Sequence, residues 1–169
     1  MGWPTSETLS SERLCLEPLA VEHATEMVGV LADPSLYEYT GGEAPTEKRL
    51  RRRYMAQAVG QSEDGSQGWF NWVVKLQASG TPVGFVQATV EQKRSGLEAD
   101  IAWVISPAHQ GQRIASEATE VMIRWLETQG VSRYVAFVHP AHQASMGVAR
   151  NQGLHPTAVI EDGEVRWDS

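Results

Sequence analysis

Cysteine is nearly missing from this chain: Cys15 is the single one among 169 residues. An internal disulfide is thereby excluded. Cys15 sits in RLCLEP, which reads as a strand, so a buried inert thiol is expected there. No Cys/His cluster has metal spacing, and His23, His109, His139 and His155 form no readable metal motif. Long apolar runs are also lacking. The opening MGWPTSETLSSE has no basic region followed by an apolar core, so neither a secretion signal nor a membrane span is expected, and a cytoplasmic location follows. Positive charge is in deficit too: 14 basic against 21 acidic residues leave a formal net charge of -7. That balance argues against non-specific nucleic-acid binding and agrees with a cationic or amine substrate. Neither G-x-G-x-x-G nor G-x-x-x-x-G-K-S/T occurs, so dinucleotide and nucleoside-triphosphate sites lack support.

What is present is enough for one domain over 1–169. The apolar fraction of 41% excludes disorder and supplies a core. SERLCLEPL alternates Leu14 and Leu16 and reads as a first strand. Val21 to Leu31 reads as a helix. Asp33 and Pro34 suit a cap and a first turn, and Thr46 can cap a second helix running to Val59. The run KRLRRR inside that helix reads as a solvated face. WFNWVVKL and PVGFVQATVEQ read as strands joined by QASGT, and LEADIAWVI as another. Ile114 to Gln129 is the clearest helix, with Ile114, Ala118, Val121, Met122 and Trp125 in a stripe and Gly130 at its end. A strand VSRYVAFVHP, a short helix over 143–152, and strands near 154–160 and 164–168 close the chain. The order β-α-α-β-β-β-α-β-α-β-β is wrong for a doubly wound parallel sheet, because the earlier strands are linked as hairpins.

The stretch SPAHQGQRIASEA, from Ser106 to Ala118, joins an apolar strand to that clearest helix. The first N–H groups of a helix have no intrahelical partner, and the helix dipole favours negative charge beside them. Gly111 lets the backbone bend and lets a ligand approach. Gln110, Gly111, Gln112 and Arg113 can present N–H groups to a pyrophosphate. Taken alone, a glycine before a helix is more often ordinary turn chemistry.

Several segments, in order, resemble the GNAT family of N-acetyltransferases, in the branch similar to ribosomal-protein N-terminal acetyltransferases. LSSERLCLEPLAVEHATEM is similar to the start of that branch, PVGFVQ to its central hairpin, ADIAWVISPAHQGQRIASEA to its acetyl-CoA motif, and ASMGVARNQGL to its later helix. The resemblance covers nearly the whole chain. It implies a mixed α/β fold: a central, mostly antiparallel sheet with a splayed parallel strand pair, flanked by helices. It also implies acetyl-CoA as cosubstrate, no metal, and an amine acceptor, either a small molecule or a protein N-terminus. A monomer or homodimer is expected, with no nucleic-acid or membrane partner. The alternative is an acyl-CoA-binding or interaction module with the same fold and little catalysis.

The family's phosphate motif, Gln/Arg-x-x-Gly-x-Gly/Ala, maps onto Gln110 and Ala115, with Ile114 between. Arg113 stands where the motif has glycine. Gly111 matches an extra glycine of this branch. Arginine adopts ordinary helical angles, so its N–H is expected to serve, and its side chain can pair with a phosphate. Pantetheine is expected beside AWVIS, hydrogen-bonding like an added strand to backbone groups freed around Val104 and Ile105.

Acetyl transfer needs a neutral amine, donors for the oxyanion and an acid for the departing thiolate. Glu98 and Asp100 lie two apart on a strand and share a face, so either can take the amine proton. Asp100 resembles the acidic residue of the family's Glu-Ile-Gly-Tyr segment. Ser145 resembles the serine of the Asn-x-x-Ser segment, which can protonate sulfur, and His142 replaces that Asn. A backbone N–H near Val104 is the expected oxyanion donor. Tyr37, Tyr39, Trp69 and Trp72 either line an acceptor cleft or fill the core.

Overall fold

A computed structural model describes residues 2–169. Two short strands open the chain, β1 (Leu9–Ser10) and β2 (Leu14–Pro18). The helices α1 (Ala24–Val30) and α2 (Glu47–Gln57) follow, then the long strands β3 (Gln67–Leu76), β4 (Pro82–Lys93) and β5 (Gly96–Ile105). Next come α3 (Ile114–Thr128), β6 (Val131–Val138), α4 (Gln143–Asn151), β7 (His155–Glu161) and β8 (Glu164–Asp168). The strands form an eight-stranded sheet in the order β1-β2-β3-β4-β5-β6-β8-β7. All neighbours pair antiparallel except β5 and β6, which run parallel.

Alternation along the strands feeds two separate layers. Phe70, Trp72 and Val74 of β3 and Val86, Ala88 and Val90 of β4 pack in one core with Ile114, Ala118, Met122 and Trp125 of α3. Val73 points the other way and joins Met27, Leu31, Leu50 and Tyr54 under α1 and α2. Each large apolar side chain fully withdrawn from water contributes about 1.5–3 kcal/mol to this arrangement.

Local signals account for the helix ends. The Asp33 carboxylate accepts from the Ser35 N–H at 2.9 Å, opening a 3-10 turn at Pro34. Thr46 Oγ1 accepts from the Arg49 N–H at 3.2 Å and caps α2. That helix stops at Gln57, short of the expected Val59, which is exposed beside Gly60 in a left-handed turn. The helix expected from Val21 begins as a 3-10 turn, and α1 proper starts at Ala24. Strand β1 was not expected. Cys15 is half-buried rather than buried, because the inward positions of β2 belong to Leu14 and Leu16.

The feature that positions the site is the incomplete pairing of β5 with β6. The ladder runs from Leu97 with Val131 to Asp100 with Val135 and then stops. Beyond it, β5 stays paired with β4 as far as Ile105, while β6 pairs with β8 from Val135 to Val138. The two parallel strands therefore diverge into a V.

Candidate active site in the strand splay

A cleft of about 1050 Å³ opens in this V. One wall is the end of β5, the turn after it and the first residues of α3. The other is the end of β6 and the start of α4, and the segment around Tyr39 covers part of it.

Strand pairing decides which backbone groups face the cleft. The Ser106 N–H donates to the Val83 carbonyl at 2.8 Å, and the β4–β5 register is unbroken from Gly84 opposite Ile105 to Lys93 opposite Gly96. Alternation then turns the backbone groups of Val104 towards β4, and those of Trp103 and Ile105 towards the splay. Gly84 agrees: a Cβ there would run into the Val104 carbonyl oxygen. The free N–H groups therefore lie at Trp103 and Ile105: of the two expected positions Ile105 faces the splay, and Trp103 takes the place of Val104. The Ile105 carbonyl is itself taken, accepting from Gln110 Nε2 at 2.9 Å.

The turn into α3 also differs from expectation in detail. Arg113 has φ 62° and ψ 18°, a left-handed conformation, not the ordinary helical angles expected of it. Such angles favour glycine, the residue that the family motif carries there. Gly111 is left-handed as well, at φ 78°. Among the described residues no side chain caps α3, and Ile114 and Ala115 of its first turn line the cleft. Gln110 lines the cleft, but its N–H donates to the Pro107 carbonyl at 3.3 Å and its amide braces Ile105. It holds the turn's shape rather than offering its N–H outward. Gln112 lies outside the cleft lining, with its carbonyl held by Arg13 Nη2 at 2.9 Å. Beside the turn, Ser106 Oγ and His109 Nδ1 stand 3.0 Å apart.

The two strand carboxylates part company. Asp100 lines the cleft and Glu98 does not. Glu98 faces Arg166 of β8 at 3.8 Å, and Arg166 also lies 3.6 Å from Asp168. Glu98 is thus an ion-pair residue, which corrects its place among the candidate bases. Asp100 is open to solvent on the cleft side. Protein crowds its other sides, and this loss of water pushes its carboxyl up to about 6, with Glu98, Glu161 and Glu164 adding to the rise against Arg166. Glu161, Asp162 and Glu164, at the β7–β8 turn, line the same cleft as Asp100, and Glu161 and Glu164 are near enough to act on its carboxyl. Burial also raises the carboxyl of Glu164.

At the other wall, His142 precedes α4 and Ser145 lies in its first turn. Ser145 Oγ is 3.4 Å from His142 Nε2. The ring of Tyr39 stacks on His142 with centroids 4.5 Å apart and an angle of 18° between planes. Burial lowers the His142 pKa below the usual histidine value, and nearby His139 lowers it further against the opposing pull of Glu38.

Four aromatic residues considered together in the sequence separate here. Trp72 is fully buried in the core, and its Nε1 donates to the Glu7 carbonyl. Tyr37 donates to the Leu31 carbonyl at 2.7 Å. Trp69 stays away from this cleft, and Tyr39 alone lines it. Elsewhere, Glu17, His23 and Glu26 bring ligand atoms within 4.8 Å of one another, but the Lys75 ammonium lies 2.9 Å from both carboxylates. The protein's own cation fills that position.

The sequence profile of the acetyltransferase (GNAT) domain matches residues 13–155. The chain belongs to the GNAT acetyltransferase family. Solved GNAT structures share its fold. The acetyltransferase from Salmonella typhimurium that modifies the N-terminal serine of 50S ribosomal subunit protein L7/L12 superposes with a TM-score of 0.77 at 16% identity, over 96% of this chain and 98% of that one. RimL, a ribosomal L7/L12 α-N-protein acetyltransferase in complex with coenzyme A, gives 0.78 at 16% identity over 96% and 97%. A GNAT-family acetyltransferase from Bacillus anthracis gives 0.71 at 17% identity over 96% and 95%. At these identities the likeness concerns the GNAT fold alone. No curated protein sequence matches the chain. Among the described residues no helix is long and apolar enough to cross a membrane.

The cleft fits a GNAT cosubstrate on its own geometry. Uncapped helix N–H groups suit a pyrophosphate, and an unpaired strand edge suits the amides of a pantetheine arm.

Proposed function

We propose that the protein transfers the acetyl group of acetyl-CoA to a primary amine. One observation carries this reading: the β5–β6 splay leads from an unpaired strand edge directly to an uncapped helix N-terminus. Pantetheine amides pair with the free groups of Trp103 and Ile105. The pyrophosphate meets the N–H groups at Gly111 and at Arg113 to Ala115, with the Arg113 guanidinium as a second partner.

The chemistry then needs two proton positions. The neutral amine attacks the thioester carbon, a C–N bond forms, and the carbonyl oxygen becomes an oxyanion held by a β5 N–H. Asp100 takes the proton that the nitrogen sheds. The C–S bond breaks, and the Ser145 hydroxyl gives a proton to the departing sulfur. An Asp100 carboxyl near 6 is ionised at neutral pH yet more basic than an ordinary carboxylate, which suits a general base.

The acceptor is a small amine or a protein N-terminus. The carboxylates of Asp100, Glu161, Asp162 and Glu164 that line the cleft favour a cationic acceptor. Free-thiol release from acetyl-CoA, measured across peptides, polyamines, amino acids and small amines, tests the reading. Acceptor-dependent release supports it. Binding of CoA without turnover on any acceptor replaces it with a CoA-binding module, the reading that Arg113 and His142 in place of the family residues favour.

A further inference from the structure

We propose that His142 is a positioning residue that donates a hydrogen bond from Nε2 to Ser145 Oγ, leaving the one hydroxyl hydrogen of Ser145 free for the leaving sulfur; this rests on the acetyltransferase reading above. Three observations converge on it. His142 Nε2 and Ser145 Oγ are 3.4 Å apart across the first turn of α4. The Tyr39 ring lies nearly parallel on the imidazole and fixes its plane. Both side chains line the cleft where β5 and β6 diverge.

A serine hydroxyl has one hydrogen and two lone pairs. If Nε2 were the acceptor, that hydrogen would point at the ring, and sulfur would receive nothing from Ser145. With Nε2–H as donor, the order runs Nε2–H to Oγ, then Oγ–H to sulfur. Each bond polarises the next and makes the hydroxyl a better acid as thiolate charge develops. No proton leaves the ring in this scheme. The proton that reaches sulfur is the serine's, and solvent returns it through the open cleft. The neutral imidazole is sufficient, and the groups around it are His139, Glu38 and Tyr39.

A mutant cycle with a ring-nitrogen measurement tests this. Glutamine places an amide N–H near the position of Nε2, whereas leucine fills the space with no donor. We expect His142→Leu to lower kcat about tenfold, less than the roughly 10²–10⁴-fold of a complete acid-base contribution because the Ser145 hydroxyl stays in place, with KM for acetyl-CoA little changed. His142→Gln should recover most of that loss. In a Ser145→Ala background, His142→Leu should cost nothing further, because the two act as a unit. Equal losses with and without Ser145 would overturn the proposal, as would a glutamine variant no better than leucine. Nitrogen-15 NMR of the wild-type protein with CoA reads the tautomer independently of turnover. A protonated Nε2 on His142 is the expected result, and an Nδ1–H tautomer contradicts the proposal. If the wild type turns over no acceptor, the acetyltransferase reading fails, and the ring tautomer still decides the hydrogen-bond direction.

Discussion

Replacing Arg113 with glycine separates the cost of a backbone conformation from the use of a side chain. Arg113 holds φ 62° and ψ 18° immediately before α3. A residue with a Cβ is disfavoured in that region by roughly 1–2 kcal/mol. Glycine relieves this strain but returns about 0.4–1 kcal/mol of disorder to the unfolded chain. The balance is a gain of about 0.5–1 kcal/mol. For a chain of this length each kcal/mol moves Tm by about 2–4 °C, so the ligand-free variant should melt about 1–4 °C higher. Cofactor binding should move the other way. The Arg113 side chain is exposed at the cleft edge, so a charge-assisted bond to a phosphate belongs at the low end of its range, about 1.5 kcal/mol. That is roughly a tenfold weaker Kd for CoA. Pantetheine has no pyrophosphate and should bind the variant as well as the wild type. Thermal unfolding and titration calorimetry with both ligands measure all three effects. A lower Tm would refute the strain argument. Equal weakening of CoA and pantetheine, or no weakening of CoA, would refute the phosphate contact.

Other perturbations follow from the same geometry. The Asp100 carboxyl is raised from 3.8 to about 6 in the folded protein, so its favourable contribution is fully present below 3.8 and is lost as pH rises through about 6. Asp100→Asn should therefore change urea stability little at pH 3.5 and raise it at pH 7; a variant less stable than wild type at pH 7 would contradict the shift. In turnover, the wild type should lose rate as pH falls through about 6, and the Asn variant should lack that limb. Ser145→Ala should lower kcat about tenfold or more while CoA affinity in calorimetry stays the same; unchanged turnover removes Ser145 from the acid role. Gly84→Ala should destabilise by about 1–3 kcal/mol in urea titration, since its Cβ meets backbone that cannot rotate away; a neutral result would contradict the β4–β5 register.

Much of the fold was legible because its signals are local. The stripe of α3, the caps at Asp33 and Thr46 and the alternation of β3 and β4 are set by residues close in sequence. The turn of the last hairpin holds Asp162 and Gly163 at positive φ, a local signal that the strand pattern alone did not use. The position of β8 between β6 and β7 is not local, and it decides the fates of Glu98 and Asp100. That insertion brings Arg166 beside Glu98 and brings Glu161 and Glu164 near Asp100. A shared strand face was readable; which carboxylate the cleft receives was not. Arg113 was misjudged for a related reason. Arginine in a helical pattern carries no sign of left-handed angles, and only its place at the motif's glycine hints at them. The Tyr39–His142 stack joins residues about a hundred positions apart, and no spacing rule reaches that far.

A crystal structure with acetyl-CoA or a non-hydrolysable thioether analogue shows whether the cosubstrate lies in the β5–β6 splay. The pyrophosphate should lie within hydrogen-bond distance of the N–H groups between Gly111 and Ala115, the pantetheine arm should pair with Trp103 and Ile105, and the sulfur should face Ser145. A pyrophosphate bound away from residues 111–115, or a pantetheine arm outside the splay, would contradict that placement.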